Sequence, residues 1–351
     1  MHAFKLALLG AVLFALPAQA KYTVFEINGA GTQAGQGTFA RAINDSGIVA
    51  GDYADSNSLQ HGFLRTKGDI ILFDGPFAGN SENTGTFVTA LTQKGVVAGY
   101  TIDNVGQKHG FIRTPDGTLT NLDAPFDGPQ GTQIFAAQDD GADIDMAGSY
   151  YDDAGVRHCL QRSTISSFGF DPKGSTLCVA NGVDASGFIS GYFVDAHQHL
   201  HGFLRNPDNG HITAFDDPLA AHGTLTGTQP YSANLDGDVV GSYADRRGHL
   251  HGFTRSAGGI FIEFDAAGAK PPGTVAVAIG GDGSIAGYTY DNESALHGFL
   301  RSANGVAIKL NAPGAGTASG QGTVPASVNA AATVAGYEID GSGVAHGFVH
   351  D

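Results

Sequence analysis

One spacing runs seven times through this chain: Gly, three residues, Asp, five residues, His-Gly-Phe or a close variant, one residue, Arg. The glycines are Gly51, Gly99, Gly148, Gly191, Gly241, Gly287 and Gly336. Four residues after each stand Asp55, Asp103, Asp152, Asp195, Asp245, Asp291 and Asp340. Six further on come His61, His109, His158, His201, His251, His297 and His346. Arg65, Arg113, Arg162, Arg205, Arg255 and Arg301 close the motif, with His350 in the last copy. The motif tolerates no change of spacing, while the period between copies varies from 43 to 50 residues. Periods of this size mark propeller blades and related arrays, in which one supersecondary unit is copied and stacked.

Residue types exclude helical repeats. The apolar runs are short, rich in Val, Ile, Phe, Tyr and Thr, and cut by Gly, Asp and Asn, which is the signature of short strands joined by turns. A second landmark, an apolar-acidic pair, closes one run in each copy: Phe73-Asp74, Leu122-Asp123, Phe170-Asp171, Phe215-Asp216, Phe264-Asp265 and, varied, Leu310-Asn311. The first copy reads as four strands over about 38–44, 47–54, 60–66 and 69–74. Consecutive apolar residues such as Ile48-Val49-Ala50 and Phe63-Leu64 imply burial on both sheet faces, as in stacked blades. Tyr22-Thr23-Val24-Phe25-Glu26 matches a fourth strand, and His346-Gly347-Phe348-Val349-His350 matches a third. Joining them would complete the last blade and remove the exposed edges of an open array. The expected fold over 21–351 is therefore all-β, a seven-bladed β-propeller of four-stranded blades closed by its N-terminal strand. An open β-solenoid is the competing architecture.

The pattern Gly-Tyr-x-x-Asp, His-Gly-Phe-Leu-Arg, Phe-Asp, as in 191–205 and 287–301, resembles the HAF-repeat family of bacterial extracellular repeat proteins. The resemblance covers 21–351 and implies export, tandem repeats and a propeller-like fold; it implies no particular activity. The third copy departs from it with His158-Cys159-Leu160 and a longer acidic turn.

The first twenty residues, MHAFKLALLGAVLFALPAQA, read as a secretory signal peptide: a weakly basic head, an apolar run and Ala-x-Ala before Lys21. A secreted protein, periplasmic or extracellular and without membrane insertion, is expected. Acids outnumber bases by 34 to 18, for a net charge of −16, which repels phosphate backbones and sets nucleic acid aside as a partner. Cys159 and Cys178 are the two cysteines and are expected to pair as a disulfide in an oxidising compartment. The expected solution state is a monomer.

Folding each third and fourth strand into a hairpin sets His61 opposite Asp74, His109 opposite Asp123, His158 opposite Asp171, His201 opposite Asp216, His251 opposite Asp265 and His297 opposite Asn311. The turn before it sets Asp55, Asp103, Asp195, Asp245 and Asp291 beside the same histidines. An imidazole between two carboxylates can donate from both nitrogens. A row repeated around a ring reads as a fold-holding device rather than as catalytic dyads.

Function belongs where the copies disagree. His197, His199 and His201 alternate, His249 and His251 repeat this one copy later, and His222 lies in the intervening loop. His197, His199, His222 and His249 are the expected ligand set for a divalent metal such as zinc; solvated or structural histidines are the plainer reading. The run Asp139-Asp140-Gly141-Ala142-Asp143-Ile144-Asp145 could hold calcium, although it matches no EF-hand spacing. Arg41 and Tyr231 are expected on the channel-lining strand as ligand-binding residues. Two functions follow: a binding module for a glycan, peptide or small molecule, or a hydrolase or lyase on the loop face, with or without a metal.

Overall fold

The computed structural model describes residues 21–141 and 143–351; the signal peptide expected over 1–20 lies outside the described residues. Those residues are all-β, and no helix among them is long and apolar enough to cross a membrane. The first strands are β1 (Tyr22–Phe25), β2 (Gly37–Ile43), β3 (Val49–Ala54), β4 (Gln60–Arg65) and β5 (Ile70–Phe73). They agree with the sequence reading to within two residues.

β2 to β5 form an antiparallel sheet in chain order. The same unit recurs with first strands Gly85–Leu91, Thr132–Asp140, Ser175–Val183, Thr228–Ala233, Lys270–Ile279 and Gly322–Val328. The last unit takes its fourth strand from β1, which pairs antiparallel with Ala345–His350 from Tyr22↔His350 to Phe25↔Gly347. This stacking of small antiparallel sheets is a β-propeller.

The core is shared between neighbouring sheets. Ala50 and Leu64 of one sheet meet Val88 and Val97 of the next, and every residue of β3 is buried. The motif phenylalanines Phe63, Phe111, Phe203, Phe253 and Phe348 are fully buried, each worth roughly 1.5–3 kcal/mol of transfer free energy. The glycine before Phe63 has a packing reason: a Cβ on Gly62 would stand 2.5 Å from the Phe73 ring of the same sheet.

A second glycine stitches sheet to sheet. Gly85 has φ of 109° and pairs in parallel with Gln60 of the preceding unit, and a Cβ there would stand 2.1 Å from the Gln60 carbonyl oxygen. The bridge recurs at Lys108↔Gly131, Leu200↔Gly227, Leu250↔Gly273, Leu296↔Gly322 and Gly37↔Ala345. The next residue, a threonine, accepts a backbone N–H from the incoming loop, as Thr86 does from Gly75 at 2.9 Å.

The joint between the third and fourth units is built differently. Leu177 and Cys178 stand where the other units have Gly-Thr, and Cys159 replaces the motif glycine. Elsewhere these two positions touch: a Cβ on Gly110 would meet the Thr132 methyl at 3.3 Å. Here they are joined by the Cys159–Cys178 disulfide, with Cα atoms 5.0 Å apart. The irregularity of the third copy is thus a covalent substitute for the bridge.

Candidate ligand-binding cavity

The Asp and His rows lie along one edge of each sheet. Nδ1 of His61 meets Asp74 at 2.8 Å, His109 meets Asp123 at 2.8 Å and His251 meets Asp265 at 2.9 Å. His201 meets both oxygens of Asp216 at 3.0 Å, and His297 meets Asn311 at 3.2 Å. His346 reaches Glu26, just past β1, at 2.7 Å. On the other side, Nε2 faces Asp55 at 4.0 Å, Asp103 at 3.6 Å, Asp195 at 3.5 Å, Asp245 at 3.7 Å and Asp291 at 3.0 Å.

These aspartates have a second task that spacing alone does not reveal. Oδ1 of Asp55 accepts the backbone N–H of Asn57 at 2.8 Å and of Leu59 at 2.9 Å, closing the turn between the second and third strands. The same pair of bonds recurs from Asp103 to Asp340. Such donors favour the ionised form. Backbone N–H groups, with the facing imidazole behind them, hold Asp152 and Asp340 below the usual range and Asp195 at about 2. The imidazoles of His158 and His346 are raised: burial opposes their charge, but the flanking carboxylates outweigh it.

Two aromatic devices also escaped the sequence reading. In four units an aromatic residue two places after the motif glycine stacks on the histidine, as Tyr53 does on His61 and Tyr243 on His251, with centroids 5.0 and 5.1 Å apart. The motif arginine lies over the outer-strand phenylalanine of the preceding unit. Arg65 covers Phe25, Arg205 covers Phe170 and Arg301 covers Phe264, at 4.6 to 4.8 Å.

The four histidines expected to share a metal do not converge. His199 stands 5.9 Å from His222 between ring centroids, and His197 is stacked on His199 with its side chain 81% exposed. His249 lines a separate groove with His251, Gly268, Lys270 and Gly273. The loop carrying His222 is held to the turn of His199 by Leu225 N–H to Gln198 O at 2.7 Å and to the strand before the turn of His249 by Ala221 N–H to Ala244 O at 2.8 Å. The acidic turn is engaged with protein donors: Asp139 accepts Lys94 N–H at 2.9 Å, and Asp143 accepts the Ile144 and Thr164 amides at 2.8 and 3.1 Å.

Every first strand carries a β-bulge. The ladder skips one residue between Ala40 and Ala42, Val88 and Ala90, Ile134 and Ala136, Ala180 and Gly182, Pro230 and Ser232, Ala276 and Ala278, and Pro325 and Ser327. A bulge re-aims the extra side chain. The skipped residues are Arg41, Thr89, Phe135, Asn181, Tyr231, Val277 and Ala326, and all line one cavity of about 310 Å³. That volume falls at the lower end of small-molecule sites, roughly 300–1,000 Å³. Arg41 and Tyr231 both face it; the other five positions were not singled out from the sequence because no residue type repeats there.

Some of this ring serves the frame. A bulge frees a ladder carbonyl, which must find a donor. Thr89 donates to Ile134 O at 2.9 Å and Asn181 to Pro230 O at 3.0 Å, each reaching the next unit. The remaining members are unconstrained by such bonds in chemistry and size. Arg41 donates from Nε and Nη2 to the two oxygens of Asp52, at 3.0 and 3.1 Å. Its guanidinium lies 4.9 Å from the Phe39 ring and 5.4 Å from Tyr337. The Asp52 side chain is 2% exposed and that of Arg41 33%. Burial works against the Arg41 charge, yet Asp52 more than compensates and raises its pKa. Phe135 and Tyr231 are the aromatic residues of the cavity lining, and Phe135 stands 6.4 Å from Tyr100 behind it. Burial first, then Tyr192 and Tyr290, push the Tyr231 phenol up, so it stays a neutral hydrogen-bonding group.

A puromycin-hydrolysing peptidase of Mycobacterium tuberculosis superposes with a TM-score of 0.57 at 12% identity, over 86% of this chain and 50% of that one. TolB of Acinetobacter baumannii gives a TM-score of 0.48 at 12% identity, over 76% and 64%. The BP39L lectin of Burkholderia pseudomallei gives 0.49 at 11% identity, over 80% and 83%. This chain thus spans half the length of the peptidase and under two thirds of TolB. No family model and no curated protein matches it. The likeness to the peptidase is one of fold alone.

Proposed function

We propose that this chain is an exported, seven-bladed propeller of the HAF-repeat kind whose cavity binds a glycan or a similar polyhydroxylated small molecule. Closure of the ring is supported by the β1 pairing with Ala345–His350 and by contacts between the last and first units, Asn329 Nδ2 to Asn44 O at 3.1 Å among them. The Cys159–Cys178 disulfide supports an oxidising compartment.

The observation that carries the binding reading is the bulge ring. Seven equivalent positions converge on one cavity with different chemistry at each, and bonds to carbonyls of the next unit account only for Thr89 and Asn181. Phe135 and Tyr231 offer faces against which a sugar ring can stack. Arg41, with its second guanidinium nitrogen free of Asp52, offers donors to a hydroxyl or carbonyl oxygen, and the Asn181 amide and Tyr231 hydroxyl add further polar contacts. Arg41–Asp52 contributes no net charge, which suits a neutral ligand.

The test is a glycan array followed by titration calorimetry with the purified chain and its Ala326→Trp variant. Ala326 is half-buried at the cavity wall, so Trp fills the space without removing a hydrogen bond. The expected outcome is a glycan bound by the native chain whose affinity falls at least tenfold in the variant, with little change in melting temperature. A glycan bound equally by both proteins would place the site elsewhere and sink the proposal.

A further inference from the structure

The fourth unit contains a second symmetry break, away from the cavity. In every unit an aspartate and a histidine face one another across the turn between the second and third strands. Only here does one carboxylate oxygen face three imidazoles. Oδ2 of Asp195 lies 3.5 Å from Nδ1 of His197, 3.5 Å from Nδ1 of His199 and 3.5 Å from Nε2 of His201. Among the described residues, Asp195, His199 and His201 form the one trio of metal-type donors whose ligand atoms all lie within 4.8 Å of each other. His222 approaches from the following loop, which is held to the turn by Leu225 N–H to Gln198 O at 2.7 Å and Leu200 N–H to Thr226 O at 3.0 Å.

We propose that Asp195, His199 and His201, completed by His222, form a site for a divalent transition metal of the zinc class. Three imidazoles and one carboxylate are a donor set that suits zinc, and the hard ions calcium and magnesium prefer oxygen alone. With bonds of about 2.0–2.1 Å, the edges of a zinc tetrahedron are about 3.3 Å and two ligating imidazoles have centroids about 5 Å apart. The His199–His222 and His199–His201 centroids are 5.9 and 6.4 Å apart, so closing the site takes rotations of partly exposed side chains.

The outer partners are in place. Nδ1 of His201 meets both Asp216 oxygens at 3.0 Å. A proton on Nδ1 leaves the Nε2 lone pair free toward Asp195, which is the carboxylate–histidine–metal arrangement. Oδ1 of Asp195 is fixed by the His197 and His199 amides at 2.8 Å each, so Oδ2 is the oxygen left for a metal. The next unit repeats Asp245, His249 and His251, but the loop facing them brings Lys270 where the fourth unit brings His222. A lysine ammonium disfavours a cation, so the second trio stays incomplete.

Zinc titration of the untagged full-length mature chain, by calorimetry with metal analysis after dialysis, tests this. One zinc per chain is expected, with affinity lowered at least tenfold by His199→Ala and by His222→Ala. Asp216→Asn, which acts only through His201, should lower it by about 10- to 100-fold. His249→Ala should leave it unchanged. Alanine already occupies the position of His199 in the sixth unit, as Ala295, so the variant is expected to fold, with circular dichroism as the check. The proposal is overturned if the native chain retains no zinc, if His199→Ala binds as well as native, or if His249→Ala weakens binding as much as His199→Ala.

Discussion

Arg41→Ala removes one half of an ion pair whose other half cannot reach water. Asp52 is 2% exposed, and both its oxygens accept from Arg41 at 3.0 and 3.1 Å. Removing one partner of a buried pair costs about 3–5 kcal/mol, mainly because the remaining charge is left uncompensated. Arg41 itself is one third exposed, so the lower end, about 3 kcal/mol, is the better figure once screening is allowed for. A chain of about 330 ordered residues unfolds with an entropy of about 0.7 kcal/mol/K, so the loss corresponds to about 4 °C in melting temperature. Asp52→Asn alone leaves a guanidinium that solvent can still reach, and about 1–2 kcal/mol is expected from the lost charged hydrogen bonds. The double variant Arg41→Ala/Asp52→Asn removes the stranded charge and should melt above Arg41→Ala. Differential scanning calorimetry at pH 7 reads all three. A native-like melting temperature for Arg41→Ala, or a double variant below it, would refute the account of Asp52 as a carboxylate dependent on Arg41.

The disulfide closes a loop of sequence separation 19, and chain entropy values such a link at about 3 kcal/mol. Cys159→Gly/Cys178→Thr, which installs the residues of the other units, should melt about 4 °C lower, and reductant should bring the native chain toward it; a variant melting at or above native would contradict this. Stability should also depend on pH in two directions. His158 and His346 have folded pKa values raised above the unfolded value of about 6.5, so their contribution is complete below that pH and is lost as pH rises through the folded values. Asp152, Asp195 and Asp340 are held low, so theirs is present above about 3.9 and drains as pH falls. Melting temperature should peak between roughly pH 4 and 6.5; a curve that climbs steadily from pH 6 to 8 would show that the His rows contribute nothing.

What repeats was legible in the sequence. Asp55, His61 and Asp74 were readable as a row because each lies at a fixed distance from a turn and a strand reverses direction at that turn. The bulges were not, since a bulge adds one residue inside a strand without altering the spacing of any motif. Arg41 was visible as a lone charge in an apolar strand, but Val277 and Ala326 carry no chemical signal. The Arg65–Phe25 stack needs the order in which sheets lie against one another, which spacing within a unit does not contain. His249 was grouped with His199 and His222 because turns and the loops between units open on the same face; sharing a face does not bring them together, and His249 lines a groove with His251 and Lys270 instead. The aromatic partners of His61, His158, His201 and His251 were readable in principle, as Tyr53, Tyr150, Phe193 and Tyr243 all stand two places after the motif glycine.

The frame also determines where specificity can reside. The turn position is an aspartate in every unit and the bridging position a glycine in all but the fourth, because the same geometry must be solved each time. A bulged residue is held by less: its backbone is already displaced from the ladder, and only the freed carbonyl asks for a donor. Thr89 and Asn181 supply one from the side chain of the preceding unit; Phe135, Val277 and Ala326 have no hydroxyl or amide to do so. Variation is therefore cheapest at the bulge, and the bulged residues of all the units face a common cavity. A ligand there touches a surface that no single repeat encodes. The Asp195–His199–His201 cluster obeys the opposite logic, since one unit and the loop behind it supply every donor, and it does not depend on how the ring is completed.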